Sequence, residues 1–273
     1  MARMGAMPLG LPEFKGATRR LVLANLVAYF ALLVFGLASS HGAGAVVRYL
    51  CFIPDLFLHG YIWQPLTYSF IHPGGSMLGT LFELLSLWFL VSFLEASRGA
   101  NWVISLYAVS VIGTAITAAV IYDLADKIGH PIEQVPLYGC MGGIFGFLIA
   151  IGVLFGDTEF LMFFVLSIKA RYLAAIYALI AFAMLFGQSR LYAFAQLGGA
   201  LAGLLFIRFA PRRGFGFITS EWVFGLRNNY YRWKRRRAGR KFQVYMRKQG
   251  RDIRLDSRGR PIEDDPDDRS RWN

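Results

Sequence analysis

Few side chains in this sequence could do polar chemistry inside apolar surroundings. There are two cysteines, Cys51 and Cys140, and four histidines, His41, His59, His72 and His130. A thiol attacks only as the thiolate, and it needs a base or cation beside it. Cys140 lies in "GCMGGIFG" (139–146), and a loop folding back could bring His130 to it. That pair stays open beside the plainer reading, in which all four histidines are loop residues and both thiols are free and structural. The cysteines are far apart, so neither a disulfide framework nor a zinc site is indicated. No phosphate loop or metal-ligand cluster stands out, and no cofactor or metal is expected. Ser76, Ser86 and Ser110 read as ordinary small polar residues. Glu83 stands inside an apolar run, where a carboxyl is expensive. It reads as functional, or as a neutral buried acid held by a neighbouring helix. Gln196 is the partner expected for it, since an amide can donate to the carboxyl oxygen and accept from its proton.

The elements that must position these groups are apolar and long. Of the 273 residues, 56% are hydrophobic and only 17% charged, a balance typical of multi-pass membrane proteins. A membrane helix needs about 20 mainly apolar residues. Six runs approach this: Leu21–Ala38, Met77–Leu94, Trp102–Tyr122, Gly139–Phe155, Tyr172–Gly187 and Tyr192–Phe209. The formal charge is nevertheless +12, so the cations must be concentrated. They precede the first run (Arg3, Lys15, Arg19, Arg20), sit between the second and third (Arg98) and between the fourth and fifth (Lys169, Arg171), and crowd the tail after Phe209. The positive-inside bias then places both termini in the cytoplasm. The organisation expected is a cytoplasmic segment 1–20, a membrane domain 21–209 and a basic, mostly flexible cytoplasmic tail 210–273. The apolar half of "DTEFLMFFVLSIKARYL" (157–173) is expected at the cytoplasmic interface.

Glycine spacing suggests which spans meet. Gly142 and Gly146, four apart and preceded by Gly139, share a face of the fourth span. Gly199 and Gly203 in "AQLGGALAG" do so on the sixth. Small-xxx-small faces let helix backbones approach closely in lipid, so the fourth and sixth spans are expected to pack together.

At these residues the sequence resembles the rhomboid intramembrane serine proteases. Gly139-Cys140-Met141-Gly142 matches their Gly-x-Ser-Gly, and Ala195-Gln196-Leu197-Gly198-Gly199-Ala200-Leu201-Ala202-Gly203 matches a sixth span that carries His before paired glycines. "IWQPLTYSFIH" (62–72), "LWFLVSFLEASRGA" (87–100), "FFVLSIKARYL" (163–173) and the tail piece "RRAGRKFQV" (236–244) are similar to further family segments. The resemblance implies an all-α, six-transmembrane-helix bundle with a lateral opening for a client's transmembrane helix.

The departures from the family pattern bear on activity. Met141 stands at the position of the serine nucleophile and Gln196 at that of the histidine base; a thioether has no proton to lose and an amide no basic nitrogen. The family's oxyanion-binding His and Asn fall on Gly79 and Glu83, which supply no side chain and a potential anion. With all four positions changed, no catalytic residue is assigned. The expectation is a pseudoprotease that binds or regulates transmembrane client proteins, as the family's inactive members do. A rhomboid-type endopeptidase with an unrecognised nucleophile and a membrane transporter are the alternatives. The expected location is a bacterial inner membrane. Lys234, Arg235, Arg236, Arg237, Arg240 and Lys241, interleaved with aromatics, are expected to hold the tail to anionic lipid rather than to nucleic acid. The last stretch, "PIEDDPDDRSRWN", reads as disordered.

Overall fold

The computed structural model describes residues 12–73, 76–162, 166–187 and 190–209, together with scattered positions between 228 and 249. The apolar runs become helices α1 (Gly16–Ala38), α5 (Met77–Arg98), α6 (Ala100–Lys127), α7 (Met141–Leu154), α8 (Ala170–Met184) and α9 (Arg190–Phe209). Between α1 and α5 the chain forms three short helices, α2 (Ser40–Leu50), α3 (Pro54–Leu58) and α4 (Gln64–Thr67), and a 3-10 turn at Tyr68–Phe70.

Each of the six expected spans corresponds to a helix, but six crossings are not confirmed. Four helices, α1, α5, α6 and α9, are long and apolar enough to cross a membrane. Helices α7 and α8 have 14 and 15 residues. At about 1.5 Å per residue they fall short of a hydrocarbon core of about 30 Å. In α7 the sequence from Gly142 to Leu148 is wholly buried, so it behaves as a core helix. It packs on α5, α6, α8 and α9. The outer helices carry exposed apolar side chains instead, among them Val27, Val34, Leu78, Phe82, Leu179 and Leu201. Such a surface suits contact with lipid.

Local chemistry sets the element ends. Ser39 and Ser76 cap α2 and α5, their hydroxyls accepting from the backbone N–H of Gly42 (3.1 Å) and Gly79 (3.2 Å). Gly99, at φ +83°, alone connects α5 to α6, a left-handed turn that favours glycine. Lys15, before α1, makes no capping bond with its side chain. The cap comes from α5, where the Glu95 carboxylate accepts from Ala17 N (2.8 Å), Thr18 N (2.9 Å) and Thr18 Oγ1 (2.7 Å).

The stretch 157–173 holds strands that its apolar sequence does not announce. It forms an antiparallel hairpin of β1 (Glu159–Met162) and β2 (Leu166–Lys169), with Glu159 opposite Lys169. The Phe160 ring sits 5.0 Å from Phe93 of α5, edge-on, so the bundle covers part of its apolar side.

Helices α7 and α9 approach through glycine. A Cβ at Gly203 would lie 2.9 Å from the Gly146 Cα, and one at Gly199 would lie 3.1 Å from the Gly142 carbonyl oxygen. Helix α6 completes the packing: Ser110 and Thr114 fill the same cleft, and Gly113 faces Ala202. Residues Met1–Gly216 make one compact unit and Phe217–Asn273 a second. In the second unit, Tyr230, Tyr231, Trp233, Lys234 and Arg237 occupy helical positions, and the Arg237 guanidinium lies 5.3 Å from the Trp233 ring centre. Arg235, Arg236, Arg240, Lys241 and the acidic end lie outside the described residues.

Candidate functional site

The segment 62–72 is a latch whose polar side chains from Trp63 to Ser69 are consumed by the backbone. Buried Gln64 accepts from Ile53 N (3.1 Å) and donates to the carbonyl oxygens of Arg48 (3.3 Å) and Tyr49 (3.4 Å). Thr67 donates to Leu50 O (2.7 Å), Trp63 to Tyr49 O (3.1 Å) and the Tyr68 hydroxyl to Val111 O of α6 (3.0 Å). These bonds pin the turn over the bundle. The strand-like pair Phe52–Leu137 then draws in the loop before α7, with N–H to carbonyl distances of 3.0 and 2.8 Å. Gly139 N donates to Ile71 O (2.9 Å) and Tyr68 O (3.1 Å).

This stitching brings His72 to Cys140, with Glu83 of α5 against both. Their ligand-type atoms all lie within 4.8 Å of one another. His72 Nε2 is 3.5 Å from Glu83 Oε2. Cys140 is fully buried and His72 is 5% exposed, while the Glu83 side chain is 16% exposed. Both His72 ring nitrogens and Glu83 Oε1 are buried without a hydrogen-bond partner. Gly139 makes the room: its φ is +80°, and a Cβ there would lie 2.7 Å from Glu83 Oε1.

Three expectations change here. His72 is a buried residue of the bundle, whereas His41, His59 and His130 are exposed. The neighbour of Cys140 is therefore His72 and not His130, because the paired loops carry the 68–72 turn, rather than the end of α6, over the start of α7. Glu83 also does not reach Gln196: among the described residues no hydrogen bond joins them. Gln196, 4% exposed, is buried on α9. Finally, a group of three metal-type donors exists where none stood out in sequence. The signal for it was weak, a lone histidine ending an aromatic stretch.

The remaining positions fall apart from this cluster. Met141, the first residue of α7, packs toward Phe145, Ala181 and Ala200. Gly79 is exposed in the first turn of α5, one turn before Glu83. Cys51 is buried in the connection after α2, and burial pushes its thiol up to about 12, which leaves it protonated and inert.

Residues 20–216 match the family model described as Eukaryotic integral membrane protein (DUF1751). A comparison with curated proteins finds no match. The eukaryotic family overturns the expected bacterial inner membrane.

Proposed function

This chain belongs to the DUF1751 family of eukaryotic integral membrane proteins, and we propose that it is a rhomboid-like pseudoprotease that binds transmembrane helices of client proteins without cutting them. The observation that carries the reading is the residue pair Met141 and Gln196. They occupy the positions aligned with a nucleophile and a base, on helices α7 and α9 that approach through Gly146 and Gly203. Neither group can take part in acyl transfer. Binding needs no such pair. It needs an apolar flank open to lipid, and α5 and α8 present Leu81, Phe82, Ile176 and Leu179 outward, with α7 packed on both helices.

The test is photocrosslinking in membranes from Phe82 of α5 and Leu179 of α8, with Val27 of α1 as an equally exposed apolar control. Discrete adducts to membrane proteins from the first two sites and not from Val27 are expected. Equal, diffuse adducts from all three would reject the reading.

A peptidase using Cys140 is favoured by one observation, the nearness of His72. Specific cleavage of a transmembrane substrate that disappears in Cys140→Ala would establish it. Full burial of the thiol counts against it, because a nucleophile must be reached by its substrate.

A further inference from the structure

We propose that His72, Glu83 and Cys140 bind a single zinc ion at the start of α7. The donor set is one imidazole nitrogen, one carboxylate oxygen and one sulfur. This combination suits zinc and is poorly suited to magnesium or calcium, which take oxygen ligands. Zinc–ligand lengths of about 2.0–2.3 Å place tetrahedral ligand atoms about 3.3–3.8 Å apart. The His72–Glu83 separation of 3.5 Å already meets that, and the mutual limit of 4.8 Å leaves only side-chain rotation to complete it.

Two further observations point to a cation. The first is the unpartnered chemistry: His72 Nδ1, His72 Nε2 and Glu83 Oε1 are buried without a hydrogen-bond partner, Nε2 having only its 3.5 Å approach to Glu83 Oε2. Buried polar atoms are ordinarily satisfied, so an unpartnered imidazole nitrogen and carboxylate oxygen beside a thiol call for a shared partner. The second is charge. A thiolate, a carboxylate and a neutral imidazole sum to two negative charges, which a divalent cation cancels. The site would then be neutral inside a low-dielectric bundle, where an uncompensated carboxylate is costly. Binding transfers the Cys140 thiol proton to solvent as the sulfur–metal bond forms. The three ligands come from the 68–72 turn, α5 and the α7 start, so the ion would add a polar tie to segments that otherwise meet through apolar packing and the Gly139 hydrogen bonds.

The test uses the full-length chain, without a polyhistidine tag, in lipid nanodiscs. Zinc content is measured after equilibration with zinc chloride and dialysis, and cobalt(II) absorption reports a thiolate ligand through its charge-transfer band. One zinc per chain is expected, with a charge-transfer band that is lost in Cys140→Ser and retained in Cys51→Ser. Glu83→Gln and His72→Asn should each weaken zinc binding by at least about 100-fold, since even outer partners of metal ligands are worth about 10–100-fold. Folded wild-type protein that holds less than stoichiometric zinc and gives no cobalt charge-transfer band would overturn the proposal, whatever the variants do. So would a band that survives in Cys140→Ser.

Discussion

Removing the Glu95 carboxylate should release the start of α1. This helix begins without a side-chain cap of its own, and its first donors, Ala17 N and Thr18 N, bond to Glu95 together with the Thr18 hydroxyl. Ala17 and Thr18 are fully buried, so water does not readily replace the lost acceptor. A hydrogen bond to a charged group contributes about 1.5–3 kcal/mol, and a carboxylate at a helix N-terminus about 0.3–1 kcal/mol more. The three bonds share one carboxylate and are not additive, so Glu95→Ala is expected to cost about 2–3 kcal/mol locally. That multiplies the frayed population about 30- to 150-fold. Trypsin reads it directly, because Arg19 and Arg20 are exposed just inside the capped turn, and cleavage tracks the open population when opening is fast. Glu95→Gln keeps an acceptor and loses the charge, and should lie between wild type and Glu95→Ala. Glu13→Ala removes only the surface ion pair with Lys15 and should change little. Equal cleavage of Glu95→Ala and Glu13→Ala would refute the reasoning, since the carboxylate would then not be what holds α1.

The glycine contact makes a second prediction: Gly203→Leu should lower thermal stability in detergent by about 1–3 kcal/mol through overpacking against Gly146, while Gly44→Ala, with nothing within 4 Å, should not. Reporters fused after Arg98 and after Arg213 should read cytoplasmic and one in 123–138 external; an external reading after Arg213 would break the expected orientation. Neutralising Lys234, Arg235, Arg236 and Arg237 should weaken tail binding to anionic vesicles by roughly 100-fold or more, at about 1 kcal/mol per charge. A tail that prefers nucleic acid at physiological salt would displace the lipid assignment. Met141→Ser combined with Gln196→His should react with a serine-directed phosphonate when neither single variant does; no labelling in a folded quadruple variant that adds Gly79→His and Glu83→Asn would mean these positions do not converge.

Apolar runs made the long helices legible, because length and composition are local properties. The end of α1 at Ala38, the start of α5 at Met77 and the end of α9 at Phe209 all follow from them. Errors arose where a polar device extends or shortens a run. Helix α6 continues to Lys127, which pairs with Asp123 four residues earlier at 2.7 Å. Helix α7 starts at Met141, two residues late, because Gly139 is left-handed. The short helices of 40–67 carry no long apolar run, and the hairpin at 159–169 reads locally as an apolar stretch. Pairs such as Glu95 with Thr18, and His72 with Cys140, join residues 77 and 68 positions apart. No local pattern announces them.

Glu83 shows why the distant pairing matters. A carboxyl on a membrane helix must be compensated, and the sequence offers an amide on α9 as the natural source. The bundle finds a different one. Gly139 leaves a gap beside α5, the Gly139 N–H holds the 68–72 turn through Ile71 and Tyr68, and that turn delivers His72 to the carboxylate. In a hydrolase of this architecture the base and the oxyanion donors would have to face one reacting carbonyl. With Glu83 beside His72 and Cys140, a change at Gln196 alone leaves an acid where an oxyanion donor would be needed. The α7 start is where this chain keeps its concentrated chemistry, and any activity sought in it should be sought there.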